Sequence, residues 1–235
     1  MKEIKTEINI EKLGKNLGIK FKNENLIIQS FCHRSYLNEN PGFPLDHNER
    51  LEFLGDAVLE LIITEYLYNK NPEVREGDLT MWRAALVNAN MLGKVAEELD
   101  FNNYILLSRG EKRTEGKARY YILANAYEAF CGALYLDQGL KTTEKFVKKY
   151  LVKELEDVLK KGLHRDAKSY FQEKAQEAVG ITPTYSILEE KGPDHAKEFT
   201  VGVFLDKELI ARGNGSSKQE AEEQAAKEAI KIKDW

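Results

Sequence analysis

His47-Asn48-Glu49-Arg50-Leu51-Glu52-Phe53-Leu54-Gly55-Asp56-Ala57-Val58-Leu59 sets apolar and acidic residues three and four apart, and the pattern continues to residue 69. That periodicity belongs to a helix. Asp46 with Glu49 three residues later reads as a capping box opening it. Glu49, Glu52 and Asp56 stand at i, i+3 and i+7, within a sector of about 60°, and so share one face. The opposite side carries Leu51, Leu54, Val58, Leu61 and Ile62. An acidic stripe on an amphipathic helix is ordinarily a solvated face. Here Phe53, Leu59 and Ile63 flank the stripe, which points to enclosure, and like charges at these spacings repel, with only Arg50 nearby to offset them. Carboxylates held close in an enclosed site call for a cation. Oxygen ligands suit Mg²⁺ or Mn²⁺ better than zinc, which takes His or Cys.

Working outward, the chain up to residue 160 is helical in pattern throughout, with helices expected over 8–17, 25–34, 46–69, 76–88, 89–99, 118–136 and 142–160. Residues 40–44 and the polar, glycine-containing stretch 108–117 read as loops. On the helix over 118–136, Asn125 and Glu128 project from one face three residues apart, Asn125 offering a neutral oxygen. By spacing alone such a pair is common. The character changes after a polar hinge at 161–166. A helix over 166–179 is followed by strands at 184–189, 199–205 and 208–212, the second placing Phe199, Val201, Val203 and Leu205 on one face at period two. Gly213-Asn214-Gly215 reads as a turn into a last helix, opened by a capping box of Ser217 and Glu220 and carrying a narrow stripe of Ala221, Ala225 and Ala229 suited to lying close on a sheet. The expected architecture is an all-α domain over 1–160, the hinge, and a small α+β domain of order α-β-β-β-α over 167–235.

Composition bounds the function classes. The 235 residues are 42% apolar and 31% charged, which excludes collagen-like, disordered and disulfide-scaffold classes. No stretch approaches the roughly 18 apolar residues of a membrane span, and Met1 to Glu7 mixes both charge signs unlike a signal peptide, so a cytoplasmic protein without membrane attachment is expected. Cys32 and Cys131 read as packed thiols. Net charge is −4, and each of the two parts carries −2, so any attraction to nucleic acid must come from local patches and hydrogen-bond geometry. No Ser–His or Cys–His nucleophile arrangement is evident, and His33 and His47 read as structural or substrate-side groups.

The stretch at 47–59, together with Glu76-Gly77-Asp78-Leu79-Thr80 and Arg83 and with Ile122-Leu123-Ala124-Asn125-Ala126-Tyr127-Glu128-Ala129 followed by Tyr135-Leu136-Asp137, closely resembles ribonuclease III, the endonuclease family that cuts double-stranded RNA. The resemblance implies a helical, dimeric nuclease domain with Glu52, Asp56 and Glu128 as metal ligands, Glu49 beside the scission site and Glu76 lining the cleavage valley. Asn125 stands where the family usually has an Asp ligand. The chemistry suits the residue types: phosphodiester hydrolysis requires an activated water and a charge on the leaving oxygen, and two metal ions supply both.

The C-terminal part resembles a double-stranded RNA-binding domain through Ala167-Lys168-Ser169-Tyr170-Phe171-Gln172-Glu173, Gly192-Pro193-Asp194-His195 with Lys197 and Phe199, and Gly213-Asn214-Gly215-Ser216-Ser217-Lys218. An A-form duplex hides its bases in a deep groove and displays 2′-hydroxyls in a shallow one, so its reader needs neutral polar groups for the shallow groove and cations for phosphates. Gln172, Glu173, Gln176 and His195 supply the first kind, and Lys218, at a helix N-terminus, the second. Gln219 and Glu222 stand where many such domains have further cations, implying a shallower salt dependence. The function expected is a homodimeric, Mg²⁺-dependent endoribonuclease, with Mn²⁺ able to substitute, that processes ribosomal and messenger RNA precursors to 5′-phosphate and 3′-hydroxyl products. The rival from another class is a catalytically impaired RNA-binding regulator, which Asn125 favours and retention of Glu49, Glu52, Asp56 and Glu128 opposes.

Overall fold

The computed structural model describes residues 8–160, 167–193 and 197–235. The N-terminal segment 1–7, the hinge expected at 161–166 and His195 lie outside them. The chain divides into two compact units, residues 1–161 and 162–235, and each is treated by itself.

The first unit is helical: α1 Ile10–Leu17, α2 Glu24–Ser30, α3 Arg34–Glu39, α4 Glu49–Lys70, α5 Glu76–Val87, α6 Ala89–Glu98, α7 Gly116–Gln138, α8 Leu140–Tyr150 and α9 Leu155–Lys160. Its centre is α7, in which Leu123, Ala126, Tyr127, Phe130, Ala133 and Leu134 are all buried. A helix apolar on so many sides has to be surrounded. Phe130 stacks among Phe31, Phe101 and Phe146 with ring centroids 5.9, 5.2 and 5.1 Å away. At the far end of α7 the Asp137 carboxylate accepts backbone N–H groups of Lys22 at 3.0 Å and Asn23 at 2.6 Å, tying the start of α2 to α7.

Several expected boundaries are corrected. Helix α4 begins at Glu49, with Asn48 as N-cap, because the Asp46 carboxylate takes the N–H of His47 at 2.9 Å and does not cap the helix. The segment 25–34 stops at Ser30, and His33 caps a separate α3 by accepting the N–H of Ser35. The stretch 142–160 breaks at a 3-10 turn over Val152–Glu154. That break lets Glu154 turn inward to meet Lys94 at 2.6 Å.

In the second unit α10 Ala167–Val179 precedes β1 Thr184–Lys191, β2 Glu198–Leu205 and β3 Glu208–Gly215, and α11 Lys218–Lys233 closes it. The sheet is antiparallel in the order β1-β2-β3. Val203, Leu205 and Ile210 pack with Phe171 of α10 and with Ala225, Ala226 and Ala229 of α11. The Gly213-Asn214-Gly215 segment is strand and not the expected turn. A Cβ at residue 213 would sit 2.1 Å from the backbone nitrogen of Ala225, so glycine is what lets the alanine stripe lie on the strand. The expected cap holds in part: the N–H of Glu220 bonds Ser217 Oγ at 3.2 Å, while the Glu220 carboxylate reaches the N–H of Ser216 at 2.9 Å. No helix among the described residues is long and apolar enough to cross a membrane.

Candidate active site and RNA-binding face

Helices α4 and α7 cross with backbone against backbone. A Cβ on Gly55 would lie 1.8 Å from the carbonyl oxygen of Glu128, and one on Gly132 would lie 2.2 Å from the carbonyl oxygen of Leu51. No other residue fits these two positions without separating the helices. The close approach carries the acidic face of α4 up to Glu128 on α7, and the charges report it. The Glu128 carboxyl is pushed up to about 7, first by burial and then by the charges of Asp56 and Glu52. Glu52 is also raised, by burial and then by Glu49 and Asp56. Four carboxylates from two helices therefore share one electrostatic neighbourhood, as the stripe at 49, 52 and 56 foretold for α4.

Asn125, one turn before Glu128 on the same face, is exposed, as are Glu49 and Asp56, whereas Glu52 and Glu128 are half-buried. Among the described residues no three His, Cys, Asp or Glu side chains stand close enough together to hold a metal ion by themselves. The donor set nonetheless fits a hard divalent cation. It offers oxygen donors only, and a positive charge placed beside Glu52 and Glu128 offsets the burial and, after it, the neighbouring carboxylate charges that raise each of them.

Two neighbours of Glu49 escaped the sequence reading. Arg34 on α3 faces one carboxylate oxygen at 3.7 Å, and His47 Nδ1 lies 3.7 Å from the other. The Glu49 N–H also points to His47 Nδ1, at 3.4 Å, so the imidazole occupies the helix entrance. Nothing in the spacing links Arg34 to Glu49 across a loop of this length. Glu76, the first residue of α5, accepts from Thr80 at 3.1 Å and is not among the charges felt by Glu52 or Glu128. It lines a separate cavity of about 640 Å³ with Thr64, Tyr68 and Arg83.

The apolar flank of the stripe behaves differently from expectation. Leu59 and Ile63 are buried, but Phe53 is 82% exposed, so the acidic face is open on the Phe53 side; Leu61, on the opposite side of the helix, is also exposed. Phe53 and the exposed Leu136 instead border a cavity of about 630 Å³ that is also lined by Leu26, Gln29, Leu51 and Leu54. Phe130, by contrast, belongs to the core.

In the second unit Gln172, Glu173 and Gln176 are exposed on α10, with Gln176 Nε2 donating to Thr182 Oγ1 at 2.7 Å. Lys218 is exposed at the first residue of α11, its ammonium 5.8 Å from the centre of the Phe199 ring. Both sets stand where a ligand can reach them, while the position of His195 is not described.

Among known protein families, residues 23–155 match the one described as Ribonuclease-III-like, and residues 167–233 match the double-stranded RNA binding motif. The chain is 47% identical over 226 residues to Ribonuclease 3 of Desulforamulus reducens, covering 96% of this chain and 92% of that protein. It is 46% identical to Ribonuclease 3 of Bacillus licheniformis over 220 residues, covering 94% and 88%. A solved nuclease domain of ribonuclease III from Campylobacter jejuni, described for structural flexibility in a region involved in dimer formation, is 41% identical with a TM-score of 0.56, covering 62% of this chain and 97% of that one.

Proposed function

The chain belongs to the ribonuclease III family, and from that premise we propose a division of labour in which residues 1–160 hydrolyse double-stranded RNA with a divalent metal and residues 167–235 grip the duplex. The observation that carries the reading is the α4–α7 crossing, which sets Glu128 beside Glu52 and Asp56 and raises its carboxyl to about 7. Perturbed carboxyls gathered where a ligand can reach them mark functional sites more often than structural ones.

Glu52, Asp56, Asn125 and Glu128 are the residues that would hold Mg²⁺, with Mn²⁺ able to take its place. Bound there, such a metal supplies activation of the attacking water and charge stabilisation of the leaving 3′ oxygen. Asp56 and Glu128 carry the negative charge nearest the reacting phosphate, and Glu49 flanks it, held between Arg34 and His47. In the second unit Gln172, Glu173, Gln176 and His195 meet the shallow groove and Lys218 a phosphate. The products are 5′-phosphate and 3′-hydroxyl ends. Ribosomal and messenger RNA precursors in the cytoplasm are the substrates.

We also read the active form as a homodimer. An aromatic as bare as Phe53, next to exposed Leu136 and a cavity in the same surface, supports a second copy covering this face. The competing reading, a catalytically impaired regulator, rests on the neutral side chain of Asn125. One experiment separates them: incubation of a duplex RNA with the full chain and Mg²⁺ or Mn²⁺. The proposal requires cutting that Glu128→Gln reduces by about 10² or more even at abundant metal, in line with loss of a group stabilising the transition state. Binding without cutting at any metal concentration refutes it and favours the regulator.

A further inference from the structure

In the first turns of α7, Arg119, Tyr120 and Tyr121 follow one another, and the first two are engaged by the fold. Arg119 Nε donates to Asn102 Oδ1 at 2.8 Å. Tyr120 donates its hydroxyl to Glu97 at 2.9 Å, and its ring lies against Gly93 of α6, where a Cβ would approach it to 2.8 Å. Tyr121 does neither. It is 59% exposed, and neither its ring nor its hydroxyl has a bonding partner among the described residues.

The direction in which Tyr121 points is set by the helix. At about 100° per residue, residues 117, 121, 125 and 128 fall within about 80° of one another. Lys117, Tyr121, Asn125 and Glu128 therefore form one stripe, of which the first three are exposed and the last is half-buried. The stripe starts at the acidic site and leads away from it. The rise along it is about 6 Å from Asn125 to Tyr121 and about as much again to Lys117. Lys117 makes no ion pair among the described residues. Moving outward from the carboxylates, a ligand meets a neutral carboxamide, then an aromatic ring with a hydroxyl, then a cation.

That sequence of groups matches the strand of a duplex lying along α7. Phosphates pair with cations, whereas 2′-hydroxyls are met by neutral groups that both donate and accept. A phenol is such a group. We propose that Tyr121 is a substrate-binding residue that contacts the RNA strand next to the scissile phosphate, its ring against the ribose and its hydroxyl bonded to a 2′-hydroxyl. The contact would help the nuclease unit tell RNA from DNA close to the cut. The inference rests on the hydrolytic reading of the acidic site and adds a determinant outside it.

The test uses the full chain and a short duplex RNA with one defined cut site, alongside duplexes carrying single 2′-deoxy substitutions at the nucleotides flanking that site. Steady-state cleavage is measured for the unsubstituted protein, Tyr121→Phe and Tyr121→Ala, and binding is measured separately without divalent metal. One lost hydrogen bond predicts that Tyr121→Phe raises KM about fivefold with kcat within about twofold. A single 2′-deoxy position should impose a similar penalty on the unsubstituted protein and no further penalty on Tyr121→Phe, the non-additivity expected of bonded partners. If both variants match the unsubstituted protein, or if the 2′-deoxy and Tyr121→Phe penalties simply add at every position, the inference is overturned. A changed sedimentation coefficient in Tyr121→Ala also overturns it, because the ring would then belong to an interface between copies. Should the unsubstituted protein bind but not cut, the hydrolytic reading fails by itself, and the metal-free binding arm still reads the coupling between Tyr121 and the 2′-hydroxyl.

Discussion

Replacing Gly55 with alanine sets two physical effects against each other, and the structure decides between them. In a helix interior the substitution by itself stabilises by about 1 kcal/mol. At this crossing the new methyl would stand 1.8 Å from the Glu128 carbonyl oxygen and 2.9 Å from the Gly132 nitrogen. Both obstacles are backbone, so no side chain can swing aside and the helices must part by about 1 Å. Overpacking of a rigid contact costs about 1–3 kcal/mol, and with nothing to yield the upper end applies. The net loss is about 2 kcal/mol, which for a protein of this size lowers Tm by about 4–8 °C. The catalytic consequence is larger, because Asp56 and Glu128 sit on opposite sides of the gap, and a misplacement of about 1 Å can cost about 10² in rate. Thermal unfolding and duplex cleavage at saturating metal measure the two effects. Gly132→Ala should behave alike, and since one separation relieves both clashes, the double variant should lose less than the two single losses combined. Gly77→Ala, where a Cβ would meet nothing within 4 Å, should leave Tm unchanged or raised. A Gly55→Ala protein that melts at or above the unsubstituted temperature and cuts at its rate would show that the crossing does not position the site.

Asn125→Asp adds a charge to the donor set and should move the Mg²⁺ titration of cleavage to lower concentration; an unchanged titration means that residue 125 is no ligand. Lys218→Ala should weaken duplex binding and reduce the slope of log affinity against log salt by about one, as loss of a phosphate contact requires, and a parallel shift with the same slope would remove Lys218 from the phosphate contacts. His33 is held below the ordinary histidine value of 6.5, first by burial, so the unfolded chain binds the extra proton more readily and stability is lost as pH falls below about 6.5. His33→Asn keeps a capping acceptor and should flatten that acid-side loss in denaturant titrations, whereas an equally steep loss would assign it to other groups.

Much of the fold follows from local pattern. The long helix through Glu49 to Lys70, the central helix around Tyr127 and Phe130, and the order helix, three strands, helix after residue 167 all carry their own periodicity. What local pattern misreads is set by partners distant in the chain. Asp46 looks like a cap but spends its oxygen on His47, and the glycines at 213 and 215 look like a turn but serve a helix lying on a strand. Phe53 looks like a residue that encloses the acidic stripe, yet the described residues provide nothing to bury it against.

The site itself was half legible for a related reason. Spacing along one helix places Glu49, Glu52 and Asp56 together, but the partnership with Glu128 depends on two helices meeting without side chains between them. The signal for that meeting is present as Gly55 and Gly132, each a poor residue for the interior of a long helix. Their cost in propensity is the mark of a contact that only a missing side chain allows. The contact in turn brings half-buried carboxyls within reach of one another, and Glu128 is raised to about 7, first by burial and then by the charges of Asp56 and Glu52. Arg34 offsets Glu49 alone, at the far end of the stripe. Two locally unfavourable choices, glycines inside helices and like charges brought together, thus coincide at one point of an otherwise consistent fold. Such a coincidence is expected where the arrangement serves a ligand of positive charge and not stability.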